Sequence, residues 1–293
     1  MAERGDGASV SGSRRRLRLG LALAAVLCGG LETASAAPAP PDRLDHVAPA
    51  LPADLRRPAV LIFIKTNGYR HDSIPAATAA LTAAARRQGL SAFATTNGAV
   101  FNDRQLARFD AVIWANTSGT TLTENQETAF RRYIEGGGGF MGVHGAGGDP
   151  AYTWPWYVQT LIGAQFIGHP GPPFVSQFQP ARLRIEDHAH PATATLGRVW
   201  RRTDEWYSFS ASPRGRVHVL VSLDEGSYRP ISYDGRDIHM GDHPLVWWRC
   251  VGKGRAFFTA MGHRPEAYSE PDYLRLLGGA MAWSAGLKGP RCP

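Results

Sequence analysis

The sequence predicts an α/β fold, a parallel sheet with helices on both faces, interrupted by one inserted lobe. Three observations carry the prediction. The run Ala59-Val60-Leu61-Ile62-Phe63-Ile64 is apolar at every position, as in a strand buried on both faces. Such runs alternate with segments of helical periodicity, a rhythm that builds parallel sheets through crossover connections. The stretch from Gly139 to Gly148, GFMGVHGAGG, reads as a short buried strand entering a glycine-rich turn. That is the shape of a nucleophile elbow, with His144 at the position of the raised nucleophile.

The elements follow in order. Arg14, Arg15, Arg16 and Arg18 precede the apolar run Leu19 to Leu27, and Ala34-Ser35-Ala36 offers a cleavage site. Residues 1–36 are therefore expected to be an export signal, which sends the mature chain to the periplasm or outside the cell. Residues 37–57, rich in proline and alanine, read as a tether or loosely packed N-terminal arm. The domain proper is expected over residues 58–288. After its first strand, the polar loop Lys65 to Ser73 leads into a helix in which Ile74, Ala77, Leu81 and Ala84 recur at helical spacing. Pro75 lies in the first turn, where its missing N–H costs nothing. Ser91 to Thr95 and Ala111 to Ala115 are the next strands. Thr123 and Gln126 form a capping box for a helix ending at Glu135, with Phe130 and Ile134 inward.

Beyond the Gly139 to Val143 strand, residues 150–215 are dense in Trp, Tyr, Pro and His. They break the rhythm and are expected to form a lobe over the sheet edge. Val217 to Leu223 restores regular structure. Trp247 to Val251 and Arg255 to Met261 read as a hairpin about Gly252-Lys253-Gly254. Pro271 opens a last helix carrying Leu274, Leu277 and Met281 inward.

Composition narrows the function classes. The formal charge of +7 includes five arginines and three acids within residues 1–36, which leaves +5 on the rest. The remaining arginines are scattered, without a basic stripe interleaved with aromatics, so nucleic acid is not an expected partner. No stretch after residue 36 approaches the ~18 apolar residues of a membrane helix, so no membrane association is expected once the signal is removed. Cys250 and Cys292 either pair in an oxidising compartment or stand as independent thiols.

In a parallel sheet, ligands bind beyond the carboxyl ends of the strands. Lys65 to His71, Asn116 to Gly119 and His144 to Asp149 would emerge there together. His263 leaves the end of a strand expected beside that of His144, so the two imidazoles can share acid and base roles or hold a metal. Tyr69, Arg70 and His71 lie in a turn before a helix N-terminus, suited to an anion or a hydroxyl-rich ligand. His169 lies in the inserted lobe, and His243 precedes the Trp247-Trp248 pair. In Thr203-Asp204-Glu205-Trp206-Tyr207 two carboxylates adjoin aromatics. A strand turns them to opposite faces, and Glu205 is taken as the one entering the site.

These segments together resemble the ThuA-like (trehalose-utilisation) family from Ala59 to Gly286. The resemblance rests on NGYRHDSI at Asn67 to Ile74, GGGFMGVHGAG at Gly137 to Gly147, TDEWY at Thr203 and AMGHRPEAY at Ala260. It implies a flavodoxin-like sheet of the class I glutamine amidotransferase kind. His144 then takes the position of the amidotransferase cysteine and His263 that of its histidine. Glu266 follows at one residue more than the usual His-x-Glu spacing.

Without the thiol, glutamine hydrolysis through a thioester is not expected. The family's association with disaccharide and keto-sugar catabolism implies a carbohydrate-processing enzyme. His144, His263 and Glu205 would be catalytic, and Tyr69, Arg70, His71, His169 and His243 would bind substrate. Two other readings stand beside it: a non-catalytic sugar-binding module led by the aromatics of 152–157 and 203–209, and a divalent-metal hydrolase using three or more of His71, His144, His169 and His263.

Overall fold

The computed structural model describes residues 43–293; the expected signal segment lies outside the described residues. Eleven strands and four α-helices are found in that span: β1 (Ala59–Phe63), α1 (Ile74–Arg87), β2 (Ser91–Thr95), α2 (Asp103–Leu106), β3 (Ala111–Ala115), α3 (Glu124–Glu135), β4 (Gly139–Val143), β5 (Phe166–Gly168), β6 (Phe178–Ile185), β7 (Val199–Glu205), β8 (Ser208–Phe209), β9 (His218–Leu223), β10 (Pro244–Val251), β11 (Gly254–Thr259) and α4 (Pro271–Ser284). Nine strands form one sheet in the order β2-β1-β3-β4-β11-β10-β9-β6-β7. Its first five are mutually parallel. Numbered along the chain they run 2-1-3-4-5, the flavodoxin-like order. The rest of the sheet is antiparallel.

The reasons are local. β1, β3 and β4 are buried at every residue, because helices cover both faces of the parallel half. Gly139 abuts Ser284 of α4, while the next residue, Phe140, packs on Phe130 of α3. Successive strand residues face opposite sides, so these two helices lie on opposite faces. The Thr123 capping box forms as expected. In α4 the inward stripe is Tyr273, Leu277, Ala280 and Met281, with Leu274 only half-buried.

Two segments depart from expectation. Residues 43–57 are not loose. Asp45 pairs with Lys65 and accepts from the Gly98 N–H, while Gln105 and Arg108 donate to the carbonyls of Pro49 and Leu55. Residues 150–215 do leave the parallel alternation, but β6 and β7 extend the main sheet, and only β5 and β8 form a separate ribbon. β6 alternates buried and exposed residues, as a strand covered on one face should. Cys250 and Cys292 form a disulfide that ties the C-terminal tail to β10. Among the described residues no helix is long and apolar enough to cross a membrane.

The antiparallel half curls. β7 lies four strands from β11, about 19 Å away on a flat sheet. Yet Arg202 of β7 sits 4.5 Å from the ring of Tyr273 in α4, and Glu205 reaches the residues that follow β11. Twist accumulated over those strands brings the sheet edge back over its own parallel core.

Candidate active site

The site forms where the curled edge meets the carboxyl ends of the parallel strands. His144 follows β4 and is fully buried, with φ 45°, the left-handed strain expected of an elbow residue. Gly145 cannot be larger, because a Cβ there would lie 2.8 Å from the His71 ring. Asn116, also left-handed at φ 57°, accepts the Gly145 N–H at 3.1 Å and donates to Ser73 and Tyr268. The loops after β1, β3 and β4 are thereby locked together.

His144 Nδ1 donates to the Ala260 carbonyl at 2.7 Å, which leaves Nε2 as the bare nitrogen. That Nε2 lies 3.2 Å from His263 Nδ1 and 3.3 Å from Glu205 Oε2. His263 Nδ1 is in turn 3.1 Å from Glu205 Oε2. The other carboxylate oxygen, Oε1, accepts from Gln177 at 2.6 Å and faces His169 Nδ1 at 3.3 Å. Glu205 is 2% exposed, and among the described residues its ion pairs are with histidines only. Burial alone would raise its carboxyl; the contacts with the His144 and His263 imidazoles outweigh this and hold it well below the usual range.

His71 completes the cluster. Its ring stands edge-on 4.9 Å from that of His144 and 4.8 Å from that of His263. Burial first, then the neighbouring His144 and His263, pushes its pKa down to about 2, so it is neutral. Its Nδ1 is buried without a hydrogen-bond partner. One ligand atom from each of His71, His144 and His263 lies within 4.8 Å of the others, a set able to hold a metal ion.

Access comes from one side. The side chains of His263 and His169 are 11% and 24% exposed, whereas that of His144 is closed off. Tyr69, 63% exposed, stands beside His71 and His263, and Tyr233, 53% exposed, beside His169. The mouth is therefore framed by two exposed phenol rings.

Adjacent Asp204 turns the other way, as alternation requires, and does a different job. It accepts the backbone N–H groups of Gly262 and His263 at 2.8 and 3.2 Å and pairs with buried Arg202 at 3.1 Å. The His263 loop hangs from this carboxylate.

Several residues singled out from the sequence lie elsewhere. Glu266 is exposed and pairs with Arg264, so the carboxylate facing His263 is Glu205. His243 is not at the mouth. It is buried, gives an N–H to the Tyr207 carbonyl and faces Glu225, so it supports the Tyr207 ring stacked 4.1 Å from His144. Arg70 is exposed and lines an open groove along α1 with Pro75, Thr78 and Arg86. The aromatics of 152–157 and 203–209 are largely core: Tyr157, Trp206 and Tyr207 are all buried. Gln177 carried no signal beyond its polarity, and Tyr233 none beyond its aromatic side chain.

A family model described as trehalose utilisation (ThuA) matches residues 59–284. Among solved structures, a ThuA-like protein from Bacteroides uniformis is similar at 28% identity and TM-score 0.64, over 81% of this chain and 95% of that one. A ThuA-like protein from Parabacteroides merdae, at 18% identity and TM-score 0.58 over 81% and 93%, shares the fold. No curated protein matches the sequence.

Proposed function

The chain belongs to the ThuA, trehalose-utilisation, family, and from that membership we propose an exported carbohydrate-processing enzyme acting on a glycoside or keto-sugar. One observation carries the reading: the buried Glu205 carboxylate is shared by three imidazoles, two of which reach solvent. A carboxylate behind a histidine fixes its tautomer and stabilises the imidazolium that forms when it accepts a proton.

With Nδ1 of His263 donating to Glu205, its Nε2 is the base that meets substrate. A sugar ketone acidifies the neighbouring C–H. The proton passes from carbon to Nε2, and the electron pair moves onto the carbonyl oxygen. Isomerisation follows when a hydroxyl proton passes between the two oxygens of the enediolate and the carbon proton returns to the former carbonyl carbon. Cleavage follows when the enolate re-forms the ketone and expels a glycosidic oxygen β to it, which takes up the proton held by His263. His144 lies against the same carboxylate oxygen as His263, and His169 and Tyr69 bind hydroxyls at the mouth. Tyr69 and Tyr233 suit the C–H faces of sugar rings. A thioester route is closed, because an imidazole occupies the elbow. Export is supported by the Cys250–Cys292 disulfide, since such bonds persist in oxidising compartments.

The test is incubation with disaccharides and their 3-keto forms, with products read by mass spectrometry. Turnover is expected for a keto-sugar or glycoside and should vanish in His144→Ala. Turnover that survives this substitution in a folded protein would remove the cluster from the reaction.

A further inference from the structure

We infer that the His144–His263–Glu205 triangle, with His71 beside it, is a binding site for a divalent transition metal of the zinc class. The first support is spacing. His144 Nε2, His263 Nδ1 and Glu205 Oε2 are separated by 3.2, 3.3 and 3.1 Å. Ligands about 2.0–2.1 Å from a tetrahedral ion lie roughly 3.3 Å apart, so the three atoms already trace one face of such a tetrahedron.

The second support is the tautomer. His144 Nδ1 is committed to the Ala260 carbonyl, so its Nε2 presents a lone pair toward the anionic Oε2. One proton on His263 Nδ1 cannot satisfy both of these acceptors well. A cation seated among the three satisfies all of them at once. The outer contacts fit the same reading. A backbone carbonyl orients one imidazole, and Gln177 and His169 occupy Oε1, which leaves Oε2 free to coordinate.

Third, His71 is buried with a ring nitrogen within 4.8 Å of ligand atoms of His144 and His263, and its Nδ1 has no partner. A buried polar atom without a partner is costly, and a bound ion gives this one a purpose. The donor set also fixes the class of ion. Imidazole nitrogens with one carboxylate suit zinc, cobalt, nickel, manganese or iron, whereas calcium and magnesium prefer oxygen alone. A tetrahedral ion held by these three ligands keeps a fourth position, taken by His71 in a closed site or left to a water or carbonyl in a catalytic one.

The site stands on geometry and not on the sugar reaction proposed above. A bound ion would take His263 Nδ1 and Glu205 Oε2 as ligands; His263 Nε2 would then carry the ring proton and act as a donor, and the ion would supply polarisation of a substrate carbonyl.

The experiment uses the untagged, chelator-stripped full chain. Zinc is titrated against a chromophoric competitor, and cobalt is followed by its visible absorption. The expected result is about one equivalent of zinc per chain, with an intense tetrahedral-type cobalt band. Glu205→Gln and His144→Ala should each weaken binding by more than about a hundredfold, since loss of a ligand costs more than the 10–100-fold lost when only a supporting residue is removed. The exposed His239→Ala should bind as the parent does. Should His144→Ala fail to fold by circular dichroism, His263→Ala takes its place. Absence of zinc binding in the competition titration, or binding that is equal in parent, Glu205→Gln and His144→Ala, overturns the site. Neither outcome depends on turnover, so failure here leaves the carbohydrate reading intact, and a silent substrate panel leaves the metal site intact.

Discussion

The two halves of the sheet contribute different chemistry. The parallel half supplies imidazoles: His71 after β1, His144 after β4 and His263 after β11 all leave carboxyl ends of parallel strands. The antiparallel half supplies carboxylates, Glu205 and Asp204 at the end of β7. Neither half holds a working site alone. A parallel sheet gathers its loop residues in one place by construction, but all of these are bases without a counter-charge. The curl of the antiparallel half delivers the buried anion that orders them. The site is thus a meeting of two surfaces, and its stability depends on contacts across that meeting.

Removing the anion tests this division most severely. Glu205→Gln keeps the shape and the Gln177 contact but cannot hold a proton or stabilise an imidazolium. Under the proposed sugar chemistry, turnover should fall roughly 10²–10⁴-fold, the range for loss of general acid–base assistance. Near-parental turnover in this variant would show that the parallel half works unaided.

Asp204→Asn tests the seam and not the chemistry. It leaves Arg202, whose side chain is 2% exposed, without its buried carboxylate, although Glu270 remains within reach. Removing one partner of a buried pair costs about 3–5 kcal/mol, and the Glu270 contact should hold the loss near the lower end. Chemical denaturation measures it. A loss under about 1 kcal/mol would mean that Arg202–Asp204 does not fasten β7 to the His263 loop.

The halves also differ in how far the sequence discloses them. β1, β3 and β4 are apolar at every residue, so local composition identifies them and the sheet type follows. His71, His144 and His263 become visible because strand ends in such a sheet share one edge. Strand alternation separates Glu205 from Asp204, and the two do face apart. What a local period does not contain is the path of the antiparallel edge. The union of β6 and β7 with the main sheet, and the return of β7 over α4, depend on twist summed over several strands. Gln177, Tyr233 and the replacement of Glu266 by Glu205 all follow from that return. His243 misleads for a related reason, since a histidine near a strand end serves equally well inside the wall of a site.

A histidine with no part in the site gives the last and smallest test, and it separates core imidazoles from functional ones. His190 is 1% exposed and packs among Trp248, Phe257 and Trp283. Its Nδ1 accepts the Ala192 N–H, while Nε2 has no partner. Burial, only partly opposed by Asp187, lowers its pKa to about 4. The unfolded chain takes up a proton near pH 6.5, whereas the folded chain waits until about 4. Between those values the unfolded state binds more protons, so stability falls as pH falls, by about 1 kcal/mol per pH unit from this residue. His190→Phe keeps a flat ring in an aromatic setting and removes the titration. Its stability should therefore decline less steeply than the parent's from pH 6.5 to 4, while His71, neutral down to about 2, preserves a slope common to both below pH 4. Parallel stability curves through the upper window would place the acid sensitivity in the site and not in the core.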